Sequence, residues 1–154
     1  MTNMKRDECI QLIENDYFGN LTAGHLSAAM ECFTDDARVY IRHGDNPIRR
    51  FSILPSDGMQ PLMEFYEHLC GNYYVTFTEF WHVIDIDAQR AASHFTVGLA
   101  PMADGLYADA AKQELLNCNF FEFRDGRISH MIIYYANPAS ANENNQVTPT
   151  GYPR

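Results

Sequence analysis

The sequence predicts an α+β fold, a curved antiparallel sheet wrapped around a long N-terminal helix. Three observations carry this expectation. Apolar residues recur at helical spacing in the first part of the chain, at Ile10, Ile13, Tyr17 and Leu21 and then at Leu26, Ala29, Met30 and Phe33. From Tyr73 onward they recur at every second residue. The connections between these period-two segments are mostly of hairpin length, which pairs neighbouring strands antiparallel.

Each element has its own signal. Thr22-Ala23-Gly24 ends the first helix, and Thr34-Asp35-Asp36 stops the second. Arg38 to Ile41 reads as a strand, His43-Gly44-Asp45-Asn46-Pro47 as a turn, and Ile48 to Leu54 as the partner strand. Asp57 with Gln60 three residues later fits a capping box. It opens a third helix on Leu62, Phe65, Tyr66, Leu69 and Cys70, with Pro61 tolerated in the first turn. Tyr73–Ile86, Ala91–Ala100, Leu115–Phe123 and Arg127–Ala136 are four strands. Their connections are Asp87-Ala88-Gln89-Arg90, a longer loop around Ala103-Asp104-Gly105, and Arg124-Asp125-Gly126. Residues 1–137 therefore make one domain, and 138–154 a polar tail whose composition cannot hold a core of its own.

Composition narrows the function. A chain of 154 residues, 46% of them hydrophobic, suits one globular core. No apolar run reaches the ~18 residues of a membrane span, and the first residues lack an apolar signal core, so the expected location is cytoplasmic. With 20 acidic against 11 basic residues and only Arg49-Arg50 as a basic pair, neither nucleic acid nor an anionic membrane is an expected partner. Cys9, Cys32, Cys70 and Cys118 show no CxxC spacing and sit beside apolar residues, which reads as buried free thiols. Nucleophile elbows, phosphate loops, dinucleotide turns and HExxH helices are missing from the sequence, so no metal or organic cofactor is implied. What remains is proton-transfer chemistry, or binding without chemistry.

Two stretches carry a resemblance. Tyr17 to Phe33 followed by Thr34-Asp35-Asp36-Ala37-Arg38-Val39, and the closing Phe121-Glu122-Phe123-Arg124-Asp125-Gly126-Arg127-Ile128, resemble the nuclear transport factor 2-like superfamily. Within it the chain is most similar to SnoaL-like polyketide cyclases and ketosteroid isomerase-like proteins, over nearly all of residues 5–137. The resemblance implies a cystatin-like cone whose cavity takes a small hydrophobic carbonyl compound for isomerisation, cyclisation or dehydration. This fold hosts many chemistries, so the site must be argued residue by residue.

In ketosteroid isomerases a buried tyrosine and a protonated carboxylic acid hold an oxyanion while an aspartate moves the proton. By this resemblance Tyr17, seven residues before Gly24, matches the tyrosine, and Asn119 falls at the carboxylic acid. Asn119 can still donate from its amide. Ile41 stands at the aspartate position and cannot take a proton. His82, on a strand whose partner carries Phe95, Val97 and Leu99, is the candidate base, expected to face Phe95 across a hairpin turned at residues 87–90. Each residue also has a plainer reading: Tyr17 as a core tyrosine, Asn117 and Asn119 as loop ties, and His82 as a structural histidine. The competing function is an apolar ligand carrier or a protein-docking module of the same fold.

Register decides which residues line the cavity. Asp125-Gly126 read as a two-residue turn pairs Asn119 with Ile132, whereas Arg124-Asp125-Gly126 read as a three-residue loop pairs it with Met131. The resemblance favours the second reading and implies that Asn117, Asn119, Phe121, Met131, Ile133 and Tyr135 form one ligand-binding wall. Leu116, Cys118, Phe120, Ile132 and Tyr134 face outward, a patch too apolar for a lone soluble chain. The expectation is a homodimer through the convex sheet face, in preference to coverage by the polar tail.

Overall fold

A computed structural model describes residues 3–136; the tail assigned to 138–154 lies outside them. The N-terminal rod is helical from α1 (Arg6–Ile10) through a π-helical stretch (Gln11–Gly19) into α2 (Asn20–Ala23). Its i→i+5 bonding brings residues four and five apart onto one face, so Cys9, Leu12, Ile13, Tyr17, Phe18 and Leu21 are all buried. The expected stripe at strict helical spacing is therefore corrected: Ile10 is only half-buried, and Cys9, Leu12 and Phe18 join the core. Gly24 ends the rod at φ 80°, a left-handed C-cap that suits glycine.

A short α3 (Leu26–Met30) leads directly into β1 (Phe33–Arg42), so Phe33 belongs to the strand rather than to the helix. The Thr34-Asp35-Asp36 run is an irregularity inside β1, between the pairs Phe33–Ile128 and Arg38–His130, rather than a turn before it. β2 (Arg49–Ser52) and a two-residue β3 (Gln60–Pro61) follow, and α4 (Leu62–Asn72) starts on Pro61 with no side-chain cap. The capping box expected at Asp57 and Gln60 does not form, because Gln60 is already paired to Phe51 in the sheet.

β4 (Tyr73–Asp85), β5 (Arg90–Pro101), β6 (Gln113–Arg124) and β7 (Arg127–Ala136) complete a seven-stranded sheet in the order β3-β2-β1-β7-β6-β5-β4. The last four strands form the expected antiparallel meander, whereas β7 closes beside β1 in parallel. Irregularities in register, at β1, in β4 between Thr78 and Trp81 and at the end of β6, bend these strands around the rod.

Two registers differ from expectation. Asp85 pairs with Arg90, so the β4–β5 turn is residues 86–89 with Gln89 at φ 53°. His82 consequently opposes Ser93 and not Phe95, although it keeps the inner face. At the β6–β7 hairpin the turn is the two-residue Asp125-Gly126, with φ 54° and 78°, the paired positive values of a type I′ turn. One extra residue, Ser129, is then taken up between Phe123–Ile128 and Glu122–His130, and its hydroxyl bonds Glu122 O at 3.1 Å. Asn119 thus pairs with Ile133 rather than Met131. Turn and bulge together shift the pairing by an even number of residues from the expected alignment, so the odd-numbered residues still face inward.

Candidate functional site

The concave face of the sheet, Phe18 on the rod and α4 enclose a cavity of about 250 Å³. Alternation along the strands builds its walls. Phe77, Val97, Leu99 and Leu115 form one apolar side, Ile41 and Ile133 the other, and Phe65, Tyr66 and Leu69 of α4 cover it. The polar lining is sparse: Arg49, Tyr66, Gln113, Asn117, Asn119 and Tyr135. A few polar groups in an apolar cavity are the usual make-up of a small-molecule site.

Of the expected wall, Asn117, Asn119, Ile133 and Tyr135 line the cavity. Phe121 and Met131 share their face but do not reach it; they oppose each other further along the hairpin, sealed in the core. The two carboxamides are the unusual feature. Asn117 and Asn119 are buried, and the Oδ1 atom of each accepts no hydrogen bond. Leaving such an oxygen unpaired costs about 1–3 kcal/mol. Asn119 Nδ2 donates one hydrogen to Met131 Sδ at 3.6 Å and keeps a second.

Tyr17 is fully buried and does not line the cavity; its hydroxyl is bonded to that of Tyr66, which does. Burial pushes the Tyr17 phenol well above its ordinary value, with the neighbouring Tyr66 adding to the rise. Burial raises Tyr66 too, against a lowering from its bond to Tyr17. Both are neutral phenols. With Tyr17 donating to Tyr66, the Tyr66 proton is left free for the cavity. Tyr66 was legible in the sequence only as one apolar-stripe residue of a helix. Helical spacing does not say which member of a stripe carries its hydroxyl to a ligand.

His82 is not a cavity residue, which corrects the expected placement. Its Nε2 lies 2.6 Å from Glu14 Oε2 and its Nδ1 2.7 Å from Ser93 Oγ. The ring stacks on Phe80, and Phe80, Phe95 and Phe18 pack together between it and the cavity. Glu14 comes from the π-helical stretch, so this chain of hydrogen bonds ties the rod to β4 and β5. His82→Ala is expected to lower unfolding stability by about 1–3 kcal/mol, since Ser93 Oγ loses its partner. Ligand affinity in the cavity should stay within about twofold (the ~0.4 kcal/mol scale of a remote site). Chemical denaturation and a binding titration check the two halves.

Among the described residues no group of three His, Cys, Asp or Glu side chains is placed to hold a metal. No described helix is long and apolar enough to cross a membrane.

No curated protein matches the chain significantly. Solved structures do. A polyketide cyclase candidate from a Silicibacter species is 23% identical, covers 87% of this chain and 93% of its own, and superposes with a TM-score of 0.64. Another from Xanthomonas campestris is 16% identical, with 85% and 92% coverage and a TM-score of 0.65. An LEH-like epoxide hydrolase of M. tuberculosis is 17% identical, covers 84% of each chain and reaches a TM-score of 0.59. These likenesses establish the shared cone. The SnoaL-like domain model matches residues 15–131, from the rod through the two asparagines to Met131, and the chain belongs to the SnoaL-like domain family.

Proposed function

We propose that the chain is a small-molecule enzyme of the cyclase, isomerase or dehydratase type, acting on a hydrophobic carbonyl compound bound in the cavity. The observation that carries this reading is the juxtaposition of Tyr66, backed by Tyr17, with two carboxamides whose amide oxygens are unpartnered. Two such oxygens on the wall of an apolar cavity are placed to accept hydrogen bonds from a ligand. The Tyr66 hydroxyl and the second N–H of Asn119 hold the carbonyl oxygen, and strengthen their bonds as it gains charge on loss of the α-proton. A hydroxyl or N–H of the ligand donates to an asparagine Oδ1. No described carboxylate or imidazole lines the cavity, so a solvent hydroxide entering at the mouth, where Arg49 is exposed, takes the α-proton as water while the C–H electron pair moves onto the carbonyl oxygen as the enolate.

That same lack of an acid or base favours a second reading, an apolar ligand carrier. A ligand-observed NMR screen with aromatic ketones and steroids separates the two. The enzyme reading expects hits whose carbonyl neighbours Tyr66 and Asn119 and whose α-protons exchange with deuterated solvent faster than without protein. Hits that touch only apolar side chains, with no exchange, would leave carriage as the function.

A further inference from the structure

Among the described residues Arg49 is the one lysine or arginine lining the cavity, and no aspartate or glutamate lines it. It sits in β2 directly opposite Ile41 of β1, at the rim. Its guanidinium lies 5.1 Å from the Phe51 ring centroid and 5.3 Å from that of Phe65. The cation therefore sits over both rings, which attract it through their faces. Among the described residues its N–H donors make no side-chain hydrogen bond and no carboxylate pairs with it. Elsewhere Arg90 and Arg124 each reach an acid, in a chain carrying nine net negative charges. Just past the end of β1, His43 stacks on Tyr135, rings 4.1 Å apart, giving the mouth a flat aromatic ledge.

We propose that the ligand is an amphiphilic acid: a flat apolar body in the cavity, a carboxylate on the Arg49 guanidinium, and a hydroxyl or N–H donor for Asn117 or Asn119. The proposal rests on reading the cavity as a small-molecule site and adds the class of molecule. An arginine fork seated over two rings suits a planar carboxylate. The inner wall offers two free acceptor oxygens beside its donors, and the Arg49 rim offers donors alone. A molecule with its donor buried and its anion at the mouth satisfies both ends.

The test uses two matched probes, 6-hydroxy-2-naphthoic acid and its methyl ester, titrated calorimetrically into the full chain and into Arg49→Gln. The acid is expected to bind about tenfold tighter than the ester, a charge-assisted bond's worth. Arg49→Gln should weaken the acid to the level of the ester and leave the ester unchanged, which also shows that the variant is folded. Raising sodium chloride from about 50 to about 500 mM should shrink the preference, because the rim is open to screening ions. Equal affinities in the unaltered chain, or a preference that survives Arg49→Gln, overturn the acid while leaving the cavity reading intact. Binding that leaves the side-chain amide resonances of Asn117 and Asn119 unmoved is binding elsewhere, and overturns it too. If neither probe binds, the cavity reading falls and takes the proposal with it.

Discussion

Tyr66→Phe is expected to slow turnover of a cavity substrate by about 10²–10³-fold, the usual loss when one donor to a developing oxyanion is removed. The substitution deletes a single oxygen and keeps the ring that packs on Phe65 and Tyr17. It acts on the transition state more than on the ground state, because a neutral phenol donates more strongly to an oxyanion than to a carbonyl. The loss should therefore fall on kcat, with KM changed little. Tyr17→Phe removes the group behind that donor and not the donor itself. Tyr66 keeps its proton for the ligand, and the loss should be nearer tenfold, roughly 1.4 kcal/mol. The ordering Tyr66 before Tyr17 is the sharp part of the expectation. Tyr66→Phe also strands the Tyr17 hydroxyl in the core, at about 1–3 kcal/mol of stability, so thermal unfolding must accompany the kinetics. Turnover by Tyr66→Phe within a few-fold of the unaltered chain would remove Tyr66 from the chemistry.

The difference between Tyr17 and Tyr66 shows what kind of information the sequence held. Period and parity were legible: which residues of β5, β6 and β7 face inward follows from alternation, and the structure keeps the odd-numbered face. Register was not legible at one-residue precision. The Asp125-Gly126 turn carries a recognisable signal, but nothing about Ser129 marks it as the bulge that restores the face. The π-helical stretch did leave a trace, since Leu12–Tyr17 and Ile13–Phe18 are apolar pairs five apart; a search at 3.6-residue spacing passes over them. Depth was the least legible. His82 and Asn119 are both polar residues on inner faces, yet Phe18, Phe80 and Phe95 seal one from the cavity that the other lines. Which ring fills which gap is a property of packing, and one-dimensional pattern does not contain it.

Phe120→Arg is expected to split a homodimer formed through the convex face of the sheet. The outward residues align in two rows across four strands: Trp81, His94, Cys118 and Tyr134 in one, Val83, Ala92, Phe120 and Ile132 in the next. Trp81 and Val83 are each 61% exposed, Phe120 48% and Tyr134 40%, so the patch reaches beyond the β6–β7 hairpin onto β4. A contiguous apolar surface of this kind is rare on a lone soluble chain and marks a contact. A second copy is the proposed cover, because a two-fold axis lets the rows meet their own images. Phe120 is the residue to change. It stands in the middle of its row, edge-to-face on Tyr134 with centroids 5.8 Å apart, and it opposes Ala92 on one side and Ile132 on the other. An arginine there brings two like charges together in an apolar contact, a cost of several kcal/mol that no rim interaction offsets. Light scattering should give twice the 17.6 kDa chain mass for the unaltered protein and one chain mass for the variant. The cavity lies on the opposite face, so the variant should still bind the cavity ligands. A single-chain mass for the unaltered protein would mean that something other than a second copy covers these two rows.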